Sequence, residues 1–179
     1  SDNTGIPAGL DLVANYTEEA INYVDFVTSI TDMPFTTDIW NVKPKLGAAE
    51  YISEQNLGDQ HIYNSLAPWS TDIEGEIAKL NELSLKNVLL VAFDAADPSI
   101  DGKIKILEES LLPWAKQAGF KQFLVDTSLM SLPASAFAFL AGKKVKENFG
   151  LPVGCAPSNG SDMVKKKTER VFQKKGFRA

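Results

Sequence analysis

Six acid and amide side chains recur along the chain, each at or near the end of a short apolar run. They are Asp11, Asp38, Asn64, Asp94, Asp126 and Asn159. Carboxylates accept hydrogen bonds and amides both donate and accept, so the set suits a neutral heterocycle with adjacent donors and acceptors. A metal ion would call for more carboxylates or imidazoles. We therefore expect an organic ligand and no metal site.

The apolar runs that carry these residues are typical of β-strands. They are AGLDLVA (8–14), PFTTDIW (34–40), HIYNS (61–65), NVLLVAFD (87–94), QFLVDTS (122–128) and LPVGCAPSN (151–159). Longer amphipathic segments alternate with them, which predicts βα units around a parallel sheet. The fold class is therefore α/β, of the (β/α)8 TIM-barrel type, with about six βα units present. In such barrels the active site lies at the carboxyl ends of the strands.

Helical periodicity predicts the segments between the strands. One predicted buried stripe consists of Ile21, Val24, Val27 and Ile30. Thr71 and Glu74 have the spacing of a capping box ahead of the next helix, whose predicted buried face consists of Ile73, Ile77 and Leu80. These stripes indicate helices that cover one face of the sheet.

Prolines, glycines and a serine mark the ends of the later helices. Pro113 is expected to end or kink one helix, after which PWAKQAG restarts it. Pro133 opens another helix, which includes Phe137, Leu140 and Val145 and ends near Gly150. Ser161 can cap the last one.

Each polar residue, taken alone, has a second interpretation as a helix cap or an Asx turn. For the set, position argues against it, because Asp38, Asn64 and Asp126 lie several residues ahead of any predicted helix start. Side chains at that distance cannot cap the helix. The set is therefore predicted to form a ring at one end of the sheet.

Composition limits the class of protein. The 179 residues are 44% apolar with a net charge of −5, which predicts one globular domain over 1–179 without a basic face for nucleic acid. A single cysteine, Cys155, and a single histidine, His61, cannot form a disulfide framework or a zinc cage. Neither a membrane span nor a signal peptide is evident. We expect a soluble, cytoplasmic protein.

The order and spacing of several segments resemble a known family. The segments are VDFVTSITDMPFTTDIW, GAAEYISEQNLGDQHIYNSL, GKIKILEESLLPWAKQAGFKQFLVDTS and VKENFGLPVG. They are similar to the H subunit of tetrahydromethanopterin S-methyltransferase and to its bacterial relatives, methyltransferases that act on tetrahydrofolate and corrinoid proteins. The resemblance covers nearly the whole chain and is strongest around IYNS and FGLPVG.

The resemblance implies a dihydropteroate synthase-like barrel that binds a reduced pterin at its mouth. It implies transfer of a methyl group between N5 of the pterin and the Co(I) corrinoid of a partner protein, and it allows a homodimer. Asp38, Asn64 and Asp126 match residues that hydrogen-bond the pterin ring, and Asp11 matches a second-strand acid. Asn159 matches a residue near N5 and is the expected catalytic group.

The sequence departs from the family in two respects. Relatives often have a histidine immediately before the last Asn, where this chain has Ser158. The family barrel has eight strands, and six are predicted here. The domain is therefore expected to lack its first and last βα units, with the missing edges supplied by a longer chain or an assembly.

Two alternatives and several individual residues stay open at this stage. A dihydropteroate synthase-like reaction would need a basic pyrophosphate site. The other alternative is a subunit that binds the pterin or a partner protein without a complete catalytic site. Trp40 and Trp69 could stack on the pterin or meet the corrinoid, although packing between loop and helix is the favoured interpretation. Cys155 is expected to be a buried thiol within the last strand. His61, at the start of its strand, receives no catalytic role.

Overall fold

Six parallel strands form one sheet whose spatial order follows the chain. The computed structural model describes residue 5 and residues 7–160. The strands are β1 (Leu10–Val13), β2 (Phe35–Asp38), β3 (His61–Leu66), β4 (Asn87–Val91), β5 (Gln122–Asp126) and β6 (Val153–Gly154). The sheet curls into an incomplete barrel. The predicted α/β class and the six predicted strands are confirmed, although most strands are shorter than the runs that predicted them.

Helices connect the strands and pack against one another in a single layer. In the described part of the chain they are α1 (Thr17–Ile30), α2 (Val42–Glu54), α3 (Ile73–Asn81), α4 (Ile100–Ile106), α5 (Leu112–Gln117) and α6 (Ser135–Phe149). A short 3₁₀ turn, Leu132–Ala134, precedes α6. Crossovers between adjacent parallel strands are right-handed, so successive helices cover the same face of the sheet.

The predicted interruption at Pro113 is confirmed. A π-helical segment, Leu107–Leu111, joins α4 to α5, and Pro113 lies in the first turn of α5. Proline lacks a backbone N–H and its ring crowds the preceding turn, which disturbs regular α-helical hydrogen bonding at this point. The segment continues as helix through Gln117, as the restart at PWAKQAG predicted.

Two predicted helix ends have different outcomes. The capping box at Thr71 is wrong, because Asp72 is the N-cap of α3 and its carboxylate accepts a hydrogen bond of 3.0 Å from the Gly75 N–H. The predicted end at Gly150 is confirmed, where φ of +67° favours glycine. Ser161 lies outside the described residues.

The main core lies between the sheet and the helix layer. The strands contribute fully buried side chains, among them Phe35, Tyr63, Val88, Leu90 and Val125, and the helices contribute Val24, Ile52, Leu80, Leu107 and Leu111. Burying one such aliphatic or aromatic side chain stabilises the fold by about 1.5–3 kcal/mol. This layer therefore supplies most of the framework that holds the strand ends in place.

Two predicted helix stripes are partly wrong. Ile30 is the last residue of α1 and is 65% exposed, whereas Ala20, Val24 and Val27 are buried. In α6, Phe137 and Leu140 are exposed, and the sheet is contacted by the face that carries Ala138, Ala141 and Val145. Small side chains let α6 approach the sheet closely, which turns its large apolar residues outward.

The other face of the sheet is the concave, inner one. Its apolar side chains, including Ile62, Leu89 and Leu124, are only half-buried. A small cavity of about 310 Å³ lies against this face, next to Asp11 and Ile62. The interior of a closed barrel is filled by layers of side chains. In the six strands that the structure describes, these inner side chains are instead only half-buried.

Candidate functional site

A cavity of about 940 Å³ opens at the carboxyl ends of the strands. All five predicted site residues line it: Asp11, Asp38, Asn64, Asp126 and Asn159. Its size is at the upper end of the range for small-molecule sites, which are usually about 300–1,000 Å³. The structure thus brings the predicted groups together at the mouth of the incomplete barrel.

Strand register explains why Asp38, Asn64 and Asp126 point the same way. Asp38 pairs with Asn64, and Asp126 pairs with Val91. Asn64 in turn pairs with Leu89, two residues before Val91, so the alternation of side chains places all of them on the inner face. Asp38 and Asn64 therefore project side by side from neighbouring strands, about 4.8 Å apart in the direction of the hydrogen bonds.

Asp11 lies farther from the carboxyl ends of the strands than Asp38 does. It pairs in register with Thr36, two residues before Asp38, and its carboxylate accepts a hydrogen bond from the Thr36 hydroxyl. Burial raises the pKa of Asp38, and the negative charge of Asp11 raises it further, whereas the Lys45 ammonium lowers it. The two carboxylates therefore repel one another across one side of the cavity.

Asp126 ends β5, and its surroundings adjust its charge. Burial raises the pKa of Asp126, while the Ser128 N–H, which donates a 2.7 Å hydrogen bond, and the Lys103 ammonium oppose the rise. Lys103 is 3% exposed and its Nζ lies 5.0 Å from the centre of the Phe93 ring. Burial lowers the pKa of Lys103, and the charge of Asp126 opposes this. Lys103 is not among the predicted site residues, although it lies on the same helical face as Leu107.

Asn159 reaches the cavity from a different element than predicted. It lies five residues beyond β6, in the helical segment that starts at residue 157, and it is exposed. Cys155 also follows β6 instead of lying within it, and it is half-buried. Burial and the negative charge of Asp126 raise the pKa of the Cys155 thiol. Cys155 thus belongs to the loop after the strand, and Asn159 belongs to the helical segment that follows this loop.

Asp94 does not join the site. Its Oδ1 accepts a 2.8 Å hydrogen bond from the Ala96 N–H, which is the geometry of an Asx turn. It does not line the cavity. For Asp94 the local turn interpretation is the correct one. Asp126 makes the same kind of turn contact, with the Ser128 N–H, but it also lines the cavity.

An aromatic wall, defined by Trp40, Trp69 and Phe93, borders the cavity. The Trp40 and Trp69 rings are stacked with centroids 6.0 Å apart and planes inclined by 18°, and Phe93 meets Trp69 edge-on at 6.4 Å. Trp40 is 79% exposed. The favoured interpretation of these tryptophans, packing between loop and helix, is therefore wrong, because they stack on each other at the rim.

A buried ionic cluster lies next to Asn64, and the sequence pattern did not predict it. The Lys45 Nζ lies 2.8 Å from the Glu76 carboxylate, which accepts hydrogen bonds of 2.5 Å from the hydroxyls of Tyr63 and Ser70. Burial and the negative charge of Glu76 raise the pKa of Tyr63 well above its usual value. The sequence signal for this cluster is a charged residue on a buried helix face, because Lys45 shares a face of α2 with Ala48 and Ala49.

His61 stands apart from this site. It begins β3 at the opposite end of the sheet, is fully buried, and has its Nε2 3.1 Å from the Thr37 hydroxyl. Burial lowers the pKa of His61 to about 3, so its ring is neutral at physiological pH. Among the described residues, no group of three His, Cys, Asp or Glu side chains could hold a metal ion. None of the helices in that part of the chain has the length and apolar character needed to cross a bilayer.

The fold and this cavity define a class: an α/β protein with an incomplete parallel barrel and a cavity at the strand ends that is lined by acid and amide side chains. Over residues 1–175 the sequence matches the family described as the tetrahydromethanopterin S-methyltransferase MtrH subunit. The chain belongs to that family.

Curated relatives carry the same description. The H subunit of tetrahydromethanopterin S-methyltransferase from Methanothermobacter thermautotrophicus is 33% identical over 167 residues, which are 89% of this chain and 53% of the relative. The corresponding protein of Methanocaldococcus jannaschii is 34% identical over 166 residues, covering 88% of this chain and 51% of the relative. The chain thus spans about half the length of these relatives.

Proposed function

We propose that the chain forms the pterin-binding part of a methyltransferase. The methyl group would move between N5 of a methyltetrahydropterin and the Co(I) corrinoid of a partner protein. The supporting observation is the convergence of Asp38, Asn64, Asp126 and Asn159 on one cavity in a chain of this family. The names of the relatives favour tetrahydromethanopterin, and tetrahydrofolate carries the same ring donors and acceptors. The proposed fold type is that of the dihydropteroate synthase-like barrels.

The ring-binding roles follow from the chemistry of each side chain. Asp126, when ionised, accepts hydrogen bonds from ring N–H groups, and the Asn64 amide offers both a donor and an acceptor beside Asp38. A hydrogen bond to a charged group contributes about 1.5–3 kcal/mol. Asp11 would act mainly by its charge, because Thr36 already uses its Oδ1. Together these groups would fix the ring in the plane that presents N5 to the open mouth.

Asn159 is the proposed catalytic group. A neutral amine is a poor leaving group, because the electron pair of the carbon–nitrogen bond returns to N5 as that bond breaks. N5 would therefore take up a proton from solvent, or accept a strong hydrogen bond, as the methyl group leaves. An amide oxygen can accept from a protonated N5 and an amide N–H can donate to the neutral one, without the amide itself titrating. The corrinoid would supply the nucleophile, so the chain contributes position and electrostatics. The aromatic wall offers a flat apolar surface where the corrinoid of a partner protein would approach.

Methyl transfer tests this proposal. The chain would be mixed with methyltetrahydromethanopterin or methyltetrahydrofolate and free Co(I) cobalamin, and the visible absorbance of cobalamin would be followed. We expect transfer by the wild type, and a rate about tenfold lower for Asn159→Ala, since one charge-assisted hydrogen bond is lost. Asn148→Ala, an exposed change in α6, is the matched control. A rate for Asn159→Ala within about threefold of wild type would remove the role of Asn159.

A second candidate is a pterin-binding subunit without its own catalytic activity. It is favoured by the sheet, in which β1 and β6 are opposite edges of the six described strands. Pterin binding measured by calorimetry, together with no methylation of cobalamin, would support this candidate over the first. A dihydropteroate synthase-like reaction is not favoured, because CAPSNG after β6 contains no basic residue for a pyrophosphate.

A further inference from the structure

A buried ion pair lies directly behind the strand end that carries Asn64. Lys45 of α2 and Glu76 of α3 meet at 2.8 Å, and their side chains are 7% and 0% exposed. A buried ion pair is weak evidence for stability, since desolvating two charges offsets most of their attraction, and apolar replacements of similar volume are often neutral or better. Stability alone therefore does not explain the presence of this pair.

The contacts of Lys45 supply that explanation. Its Nζ donates a 2.7 Å hydrogen bond to the backbone carbonyl of Ser65, the residue that follows Asn64. The ammonium also lies 4.9 Å from the centre of the Tyr63 ring, which precedes Asn64. Both neighbours of Asn64 in the strand are thus held by one charged group. The register of β3 on β4 shifts between Asn64 and Leu66, so regular strand pairing does not fix this carbonyl.

Glu76 connects the same group to the rim of the cavity. Its Oε1 accepts from Lys45 and Tyr63, and its Oε2 accepts a 2.5 Å hydrogen bond from Ser70. Ser70 follows Trp69, which belongs to the aromatic wall. One carboxylate therefore holds the lysine that supports Asn64 and the loop that carries Trp69.

A second ion pair joins the same two helices and provides the comparison. Lys79 of α3 lies 2.7 Å from Glu50 of α2, with side chains 35% and 47% exposed. Neither Lys79 nor Glu50 lines the cavity. Their pair links α2 to α3 at the surface, whereas the buried pair also reaches the site.

From these contacts we infer that Lys45, oriented by Glu76, is a positioning residue that sets the place of Asn64 at the ligand cavity. The inference rests on the proposed function for its consequence, which is pterin affinity. Its structural part concerns Asn64 alone and holds without any ligand. Lys45 also lines the cavity, but the role inferred for it is exerted through the Ser65 carbonyl and the Tyr63 ring.

Three variants separate positioning from stability. Lys45→Met removes the donor to Ser65 and leaves the Glu76 carboxylate unpaired. Lys45→Met combined with Glu76→Gln removes the donor but also removes that buried charge, so the fold recovers. Lys79→Met breaks the surface pair between the same helices and is the matched control. Thermal unfolding of each variant shows how far the fold itself is affected.

Two readouts then decide the inference. In protein labelled with ¹⁵N-asparagine, the side-chain amide signal of Asn64 is expected to move in Lys45→Met and in the double variant, and to stay in place in Lys79→Met. The double variant is expected to bind methyltetrahydrofolate at least about fivefold more weakly than wild type despite its recovered melting temperature, because a ring contact is misplaced. Lys79→Met should bind within about twofold of wild type.

The outcomes distinguish the two proposals. A double variant whose Asn64 signal and affinity both match wild type would overturn the positioning role, since only stability would then depend on the pair. Wild-type protein that binds neither methyltetrahydrofolate nor methyltetrahydromethanopterin would overturn the proposed function. In that case the Asn64 signal still decides whether Lys45 sets the place of Asn64.

Discussion

Two strand ends at the mouth are each backed by a buried lysine, but the lysines have different surroundings. Behind β3, Lys45 has a carboxylate partner at 2.8 Å and a carbonyl acceptor at 2.7 Å. Behind β5, Lys103 has a long 3.4 Å contact to the Ser128 carbonyl and the face of Phe93. The first lysine is fixed by strong, short contacts, and the second is not.

Lysine at an inward helix position therefore has two different roles in this fold. A fully paired ammonium behaves as a clamp, because breaking its contacts leaves a buried charge. Lys103 is poorly paired, so the cost of its desolvation is not offset, and this lowers the pKa of Lys103. Its positive charge in turn opposes the rise in the pKa of Asp126. The β3 end is held by geometry, while the β5 end is adjusted by electrostatics.

Replacement of Lys45 and replacement of Lys103 are expected to differ most in their effect on the free energy of unfolding. Lys45→Met leaves the Glu76 carboxylate buried without its cation, and loss of one partner of such a pair costs about 3–5 kcal/mol. Lys103→Met should change the free energy of unfolding little or raise it, because burial disfavours the charged form of Lys103 in the folded state. Urea unfolding of the two variants measures the contrast. Equal losses would show that the two lysines are structurally equivalent.

The next effect is on ligand affinity at β5. Asp126→Asn should weaken pterin binding by about tenfold, since a charged acceptor is lost. The raised pKa of Asp126 means that its ionised form is disfavoured by the fold, so its unfavourable contribution is present above the folded pKa and disappears as the pH falls through it. The amide should therefore leave the melting temperature at pH 7 unchanged or higher. A lower melting temperature with unchanged affinity would assign Asp126 a structural role only.

The smallest effect concerns pH. In the proposed site the ionised form of Asp126 binds the pterin, so affinity should fall as the pH drops through the raised pKa of Asp126. Lys103→Met removes the charge that holds this pKa down, and the acidic limit of binding should move to higher pH. Calorimetric titrations at several pH values measure the limit in both proteins. Lys105→Met, on the exposed side of α4, is the control and should leave the limit in place.

The sequence predicted the strands and the ring of polar groups because both depend on local pattern. Runs of β-branched and aromatic residues specify strands, and one polar side chain near each strand end specifies a shared mouth. Register then placed Asp38 beside Asn64 without further information. The same logic failed for Asp94, whose own backbone offered a nearer partner in Ala96. It also misplaced Asn159, which belongs to the segment after β6.

Contacts between distant segments could not be predicted in this way. The Lys45 and Glu76 side chains lie 31 positions apart along the chain and meet only when α2 and α3 pack on β3. Each was visible as a charge on an apolar helix face, but the pattern does not identify the partner. The exposure of Phe137 and Leu140 likewise depends on how closely the alanines of α6 approach the sheet.

An NMR titration with the pterin tests whether the ligand binds at the mouth of the incomplete barrel. Protein labelled with ¹⁵N-asparagine would be titrated with methyltetrahydromethanopterin, and the side-chain amide signals followed by NMR. We predict that the signals of Asn64 and Asn159 move together and saturate, while that of Asn22, exposed on α1, does not. Saturable binding that leaves Asn64 and Asn159 unmoved, or no binding at all, would contradict a pterin site at the mouth.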